Sequence, residues 1–300
     1  MGANSQQCFK VGYAAIVGRP NVGKSTLLNN LLSFKVSSVS RKPQTTRHQI
    51  RGILNGDNYQ IIFLDTPGLL EPKYKLQEAM LQAAQRALRD SDVALFMVEA
   101  ASRPERADVL LFEAASRTVR SMILIINNMD TVAKHAVLPL MDYYSRFENI
   151  NTIVPISALK ADGLDRLKKE IVDSLPEGQP FYPPDQITDH PERFIVSEVI
   201  REKIFQRYGE EIPYATTVNI EEFKERIDGK DFIKAVIYVE KNSQKGILIG
   251  KKGAALKNVG KLAREEIEFV LGRPVFLELW VKVKEKWRQD EKVLREFGYF

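Results

Sequence analysis

Gly18-Arg19-Pro20-Asn21-Val22-Gly23-Lys24-Ser25 is the stretch whose reading decides the fold. The residues before it, Val11-Gly-Tyr-Ala-Ala-Ile-Val17, make a short apolar, branched run of the kind that becomes a buried strand. Those after it, Thr26-Leu-Leu-Asn-Asn-Leu-Leu32, carry leucines at helical spacing. Strand, Gly-rich turn, Lys-Ser and helix form the context that a phosphate-binding loop requires. Glycine lets the backbone curl so that its N–H groups point inward as an anion nest. The helix N-terminus adds the positive end of a dipole. Lys24 is expected to reach the β- and γ-phosphates and the Ser25 hydroxyl to ligate Mg²⁺. The competing reading is a Gly-rich turn with no ligand, and the flanking strand and helix weigh against it.

Composition narrows the rest. The chain has 300 residues, enough for about two domains by the usual length prior. A net charge of +5 is mildly favourable to polyanionic partners and decides nothing alone. The single cysteine, Cys8, cannot form an internal disulfide and has no neighbouring base, so it reads as inert in a reducing cytosol. The N-terminus lacks a signal-peptide pattern, and no run of 18 apolar residues occurs. A soluble protein, at most peripheral on a membrane, is expected. His48, His135 and His190 are too scattered to suggest a metal site.

Strands and helices alternate from Val11 to about Leu175. Apolar runs at 59–64, 93–98, 121–126 and 151–155 read as strands, and 77–89, 104–119, 136–147 and 164–175 as helices. Near-continuous apolar strands between helices predict an α/β domain with a mostly parallel sheet, helices on both faces, and ligands beyond the strand C-termini. The stretch 176–191 then holds five of the fourteen prolines, four of them within 175–184, and reads as a stiff, extended linker. Beyond it come helix 193–208, strands 215–223 and 232–240, helix 251–271 and strand 274–283, an α+β arrangement of ordinary domain size. The expected division is residues 1–177, a linker at 178–190, and residues 191–300.

Each candidate motif falls after a strand. Asp65-Thr-Pro-Gly68 offers a carboxylate to hold Mg²⁺ through water and a Gly N–H for the γ-phosphate. Between it and the first loop, Thr45 and Thr46 both qualify as a second hydroxyl on Mg²⁺ when the γ-phosphate is present; Thr46 is the preferred one. Asn127-Asn128-Met-Asp130 supplies a carboxylate that can accept from guanine N1 and its exocyclic amine, a donor pair adenine lacks. Asn127 is expected to tie this turn to the phosphate loop. Ser157-Ala158-Leu159-Lys160 offers backbone N–H groups to guanine O6. Any one of these tetrapeptides alone is an ordinary polar loop; their order at successive strand ends is what carries the reading.

A second constellation lies at Ile247-Leu-Ile-Gly250-Lys251-Lys252-Gly253. Gly-x-x-Gly between two helices lets a nucleic-acid backbone approach closely, as in KH modules. From Lys241 to Arg264 the chain carries six Lys and one Arg with no Asp or Glu, and Lys257, Lys261 and Arg264 continue the basic face. Such a one-sided run is an electrostatic footprint for phosphate, against the alternative of a solvated basic helix.

Together the motifs at Gly18–Ser25, Gln44–Arg47, Asp65–Gly68, Asn127–Asp130 and Ser157–Lys160, with the second domain, resemble the Era family of translation-factor-class GTPases. The resemblance covers nearly the whole chain. It implies a GTP/GDP-binding P-loop domain in which Gly18 to Thr26 and the later motifs hold the nucleotide, followed by a type II KH domain. It implies slow GTP hydrolysis, binding to the 3′ end of 16S ribosomal RNA, and a role in 30S-subunit assembly. It further implies a cytoplasmic protein with peripheral contact to the inner membrane. A monomer without DNA partners is expected. Two departures stand out. Asn128 occupies the place of a lysine whose stem usually lies along the guanine plane, which implies weaker nucleotide affinity. Leu69 follows Asp-x-x-Gly where many GTPases have a water-orienting Gln, a substitution the family shares. No general base is assigned. Asn21 resembles the asparagine that holds K⁺ in potassium-activated GTPases.

The basic segment 281–288 suits ribosome or membrane contact equally with a plain strand end and C-terminal helix. Trp280 and Trp287 are expected to be packing residues. Two rivals remain: a tRNA-modification GTPase, for which the extra catalytic segment is missing, and a constitutive RNA-binding protein with a degenerate nucleotide site, for which Asn128 argues but Lys24, Ser25, Asp65 and Asp130 do not.

Overall fold

The computed structural model describes residues 8–69, 71–101, 103–227 and 229–300. Strands such as Val93–Glu99 (β4) and Met122–Asn127 (β5) have no polar side, so they are stable only with helices on both faces. They lie in a sheet with Lys10–Gly18 (β1), Ile50–Gly56 (β2), Tyr59–Asp65 (β3) and Ile150–Pro155 (β6). Among the described residues the order is β2-β3-β1-β4-β5-β6, parallel except for β2, which runs antiparallel to β3. Helices Lys24–Leu32 (α1), Lys75–Arg89 (α2), Arg106–Ser116 (α3), Leu138–Tyr144 (α4) and Leu164–Ser174 (α5) complete the alternation. One buried cluster joins Phe96 of β4 to Phe112 of α3 and Tyr144 of α4, with ring centroids 5.3 and 5.1 Å apart.

The chain divides into two compact units. The first comprises the chain up to Ser37, Thr46–Glu71 and Met80–Asp189; the second comprises Ser38–Thr45, Pro72–Ala79 and His190–Phe300. The second holds Glu192–Arg207 (α6), Thr217–Lys224 (β7), Asp231–Val239 (β8), Asn242–Ile249 (α7), Ala254–Leu271 (α8), Val275–Val283 (β9) and Glu291–Glu296 (α9). Its three-stranded sheet, β7-β8-β9, pairs β7 and β8 antiparallel and β8 and β9 parallel. Val196, Ile200, Ile233, Ala235, Ile237, Val259 and Ala263 form its core between α6, α8 and one sheet face.

Several elements differ from the sequence pattern. Residues 136–147 do not make one helix: a 3-10 turn at Lys134–Val137 precedes α4, with Pro139 in its first turn, where a missing N–H costs nothing. The helix expected from Lys251 begins at Ala254, because Lys252 has φ 53° and breaks the run. Strand β2 has no counterpart in the sequence reading, whereas α7 is the helix expected before Gly250 and α9 the C-terminal helix expected after the basic strand end. Trp287 is fully buried and donates Nε1 to Ala215 O at 2.9 Å, whereas Trp280 keeps half its surface exposed and is not a packing residue. Among the described residues no helix is long and apolar enough to cross a membrane, and no group of three or more His, Cys, Asp or Glu side chains is placed to hold a metal ion. Residues 1–7, on which the signal-peptide reading rests, lie outside the described residues.

The proline-rich stretch is not a free spacer. Gln60, fully buried on β3, accepts from the backbone N–H groups of Phe181 and Tyr182 at 2.7 and 3.0 Å and donates to Tyr182 O at 2.8 Å. Ile53 N donates to Ile187 O at 2.7 Å, and Thr188 Oγ1 to Arg51 O at 2.7 Å. These contacts lay 181–188 along β2 and place the stretch to Asp189 in the first unit. Replacing Gln60 by Leu leaves buried peptide groups unsatisfied and should destabilise the chain by about 2 kcal/mol. Denaturant titration checks this; an unchanged midpoint would show that the strap contributes no stability.

Candidate nucleotide and RNA sites

The loop between β1 and α1 is tight for steric reasons. Gly18 has φ +148°, and a Cβ there would lie 2.4 Å from Met97 O. A Cβ on Gly23, at φ +102°, would meet Asn127 Nδ2 at 2.3 Å. The Lys24 ammonium donates to Gly18 O at 3.1 Å and Arg19 O at 2.8 Å. Lys24 is buried, and burial pulls its pKa down to about 8 against the opposing effect of Asp65. An ammonium held this way is poised to exchange carbonyl partners for phosphate oxygens.

Four side chains converge beside the loop. Ser25 Oγ lies 2.8 Å from Thr46 Oγ1 and donates to Asp65 Oδ2 at 2.8 Å. Ser37 Oγ also donates to Asp65 Oδ2, at 2.8 Å. Asp65 Oδ1 is buried and has no hydrogen-bond partner among the described residues. Burial therefore raises the pKa of Asp65, against the effects of Lys24 and the two serines. A bare buried carboxylate oxygen beside two hydroxyls is the donor set a hard divalent cation takes. Of the two threonines, only Thr46 meets Ser25; Thr45 Oγ1 turns to Lys42 O at 2.7 Å.

Gly68 passes so close to the loop that a Cβ would lie 2.6 Å from Pro20 N. The next amide, Leu69 N, donates to Gly18 O at 3.1 Å. The Leu69 side chain is buried in the core, so it neither faces the loop nor orients water.

At the other end, Asn127 bridges two loops. Its Nδ2 donates to Val22 O at 2.8 Å and its Oδ1 accepts from Ala158 N at 2.8 Å. Ser157 Oγ donates to Asp130 Oδ1 at 2.6 Å, aligning an otherwise exposed carboxylate. Ser157 N bonds Asp162 O and Lys160 N bonds Ser157 Oγ. Ala158 N being taken, Leu159 N is the amide of this tetrapeptide left without a partner among the described residues. Asn128, at φ 65°, donates to Glu99 Oε1 at 3.1 Å.

Contacts across long sequence separations went unread. Asn29 Oδ1 accepts from Val36 N and Ser37 N at 3.1 and 3.0 Å, fixing the start of the loop that carries Thr46. Asn30 Nδ2 donates to Ala158 O. The Asn-Asn pair amid leucines of α1 is the one local signal that pointed to them. The Arg19 side chain turns from the loop to Glu105 and Asp108.

Within the second unit, Gly250 at φ +70° and Gly253 at φ +78° flank the turn between α7 and α8. A Cβ on Gly250 would lie 2.6 Å from Ala255 Cβ. Lys251, Lys252, Lys257 and Lys261 are exposed, and Arg264 is half-buried on the same helix. The second unit also contains Ser38–Thr45 and Pro72–Ala79. Lys42 Nζ donates to Phe205 O and Tyr208 O, and Ser38 Oγ to Glu198 O at 3.1 Å. Tyr74 donates to Gln44 Oε1 at 3.1 Å and lies under the Arg288 guanidinium at 5.0 Å.

Comparison with known proteins agrees with this geometry. The chain matches a family model described as a 50S ribosome-binding GTPase over residues 13–128 and a KH-domain model over residues 211–288. It is 45% identical to GTPase Era of Ruminiclostridium cellulolyticum over 97% of this chain and 98% of that one. It is 46% identical to GTPase Era of Geotalea uraniireducens over 98% and 99%. Among solved structures, a crystal structure of Era in complex with MgGDPNP and nucleotides 1506–1542 of 16S ribosomal RNA superposes with TM-score 0.93 at 46% identity, covering 97% of this chain and 99% of that one. A P-loop GTPase sheet followed by a KH domain, matched end to end at this level of identity, leaves one conclusion: the chain belongs to the Era family of GTPases.

Proposed function

We propose that the chain is a GTP-switched ribosome-assembly factor that binds the 3′ end of small-subunit ribosomal RNA. Its first domain hydrolyses GTP and its KH domain clamps RNA. The observation that carries the nucleotide half is the Ser25–Thr46–Asp65 cluster with Asp65 Oδ1 bare. Ser25 and Thr46 would hold Mg²⁺ directly and Asp65 through water. When bound, the ion would neutralise charge on the β- and γ-phosphates. The amides of Gly18 to Thr26, with Lys24, take the phosphates, and Gly68 N–H takes the γ-phosphate. Asp130, aligned by Ser157, reads guanine N1 and N2. The free amide of Leu159 receives O6. Asn128, short and drawn toward Glu99, covers the base less than a lysine stem would. Leu69 leaves the attacking water without an orienting amide, so intrinsic hydrolysis is slow. Asn21, in a left-handed conformation at the loop's turn, is proposed as a K⁺ ligand.

The RNA half rests on Gly250–Gly253, the exposed Lys251, Lys252, Lys257 and Lys261, and Arg264. A relative with 46% identity was crystallised with nucleotides 1506–1542 of 16S ribosomal RNA, which supports that substrate here. The switch reading is supported by Ser38–Thr45 and Pro72–Ala79 grouping with the KH-containing unit, while Thr46 and Gly68 stay with the phosphate loop. A cytoplasmic location with peripheral membrane contact fits this role, as does a boundary between the domains near residue 190.

Substituting Asp130→Asn should weaken GTP binding by about 2–3 kcal/mol, roughly a hundredfold, and shift preference toward XTP. Nucleotide competition measures it, and unchanged GTP and XTP affinities would overturn the guanine assignment. The pair Lys251→Asp and Lys252→Asp should abolish RNA binding and leave GTP binding intact; single replacements by Ala should each cut the slope of log K against log salt by about 0.7. Hydrolysis should be faster in KCl than in NaCl, and equal rates would remove Asn21 as a K⁺ ligand.

A further inference from the structure

Arg19 sits in the phosphate loop, yet its side chain leaves it. Its Nε donates to Asp108 Oδ1 at 2.6 Å and its Nη1 to Glu105 Oε2 at 2.5 Å. Asp108 lies in the first turn of α3, and its side chain is only 5% exposed. Burial raises the Asp108 pKa, and the hydrogen bond and charge of Arg19 oppose the rise. Glu105 is the more exposed partner, at 55%, so its pairing with Arg19 is worth little by itself. A buried carboxylate with a bonded guanidinium differs in kind: removing either partner strands a charge.

The backbone of Arg19 is what the nucleotide chemistry uses. Lys24 Nζ rests on the carbonyls of Gly18 and Arg19, and Gly18 O also receives Leu69 N. On its other side the loop abuts Gly68, where Pro20 N leaves no room for a Cβ. The limb carrying both carbonyls is therefore fixed from one side by Gly68–Leu69 and from the other by the ion pair to α3.

We propose that Asp108 is a positioning residue for the phosphate loop: through Arg19 it anchors the limb whose carbonyls hold the Lys24 ammonium in place for the β- and γ-phosphates. Asp108 touches no nucleotide. This inference rests on the reading of Gly18–Ser25 as the phosphate site. Losing the anchor frees that limb, so bound nucleotide escapes faster while the base-reading groups at Asp130 and Leu159 stay as they are.

The test is the dissociation rate of a fluorescent GDP from the full chain, with melting temperature and guanine-over-xanthine preference measured alongside. Asp108→Asn, nearly isosteric, should speed release about tenfold, as should Arg19→Gln, with base preference unchanged. The double variant should release no faster than the worse single one, because the two side chains act as a unit. Should Asp108→Asn not fold, Arg19→Gln and the Arg19→Lys variant, which cannot reach both carboxylates in a planar fork, carry the comparison. A lowered melting temperature with release within twofold of the unsubstituted chain would overturn the proposal and leave Asp108 a packing residue. Rates that multiply in the double variant would overturn it too. Failure of the unsubstituted chain to bind GDP would instead remove the nucleotide reading itself.

Discussion

Asp65 ends β3 with its carboxylate wholly buried, one oxygen shared by the hydroxyls of Ser25 and Ser37 and the other without a partner among the described residues. Burying a carboxylate is costly unless it is paired or coordinates a cation. The surrounding chain is arranged around that cost. Ser25 comes from the first turn of α1 and Ser37 from the loop that Asn29 holds by two backbone amides. Thr46, the third hydroxyl, comes from farther along that loop. Under the proposed function a divalent cation makes the arrangement favourable.

The parallel sheet makes this convergence possible. Strands β1, β3, β4, β5 and β6 run the same way, so the loops after them open at one edge. Asn127 then couples the two ends of that edge, its Nδ2 donating to Val22 O and its Oδ1 accepting from Ala158 N–H. Gly23 lacks a side chain because Asn127 occupies its space. Similar economy governs the Gly250–Gly253 turn, where positive φ at both glycines brings exposed lysines to a close-approach backbone.

The sheet and the order of its loops were readable because burial on both faces forces long apolar runs, and because the motifs follow those runs directly. The edge strand β2 was not: Ile50-Arg-Gly-Ile-Leu-Asn-Gly56 is half polar and ends in Gly, which reads as a loop unless its partner β3 is known. The positions of the phosphate loop, Asp65 and Asp130 at strand ends were readable from the order of the motifs; Thr45 and Thr46 both stayed open there, and Thr46 is the one that lies beside Ser25. The contacts that steady them were not, since Arg19–Asp108 spans 89 residues and Asn30–Ala158 spans 128, with no local pattern for either. Gln60 was hidden for the same reason: a lone polar residue within an apolar strand signals neither strap nor site until Phe181 and Tyr182 are seen to bond it.

The chain passes from Thr45, grouped with the KH-containing unit, to Thr46, grouped with the phosphate loop, across a single peptide bond. Under the proposed function, a ligand that holds Thr46 in a new place acts on a segment whose Ser38 and Lys42 bond α6. Coupling of this kind between two sites is typically worth about 1–3 kcal/mol. The direct measurement is the affinity of the full chain for RNA of the small-subunit 3′ end, taken once with GDP and once with a non-hydrolysable GTP analogue. Binding at least about fivefold tighter with the analogue is the predicted result; equal affinity in the two nucleotide states would contradict the account.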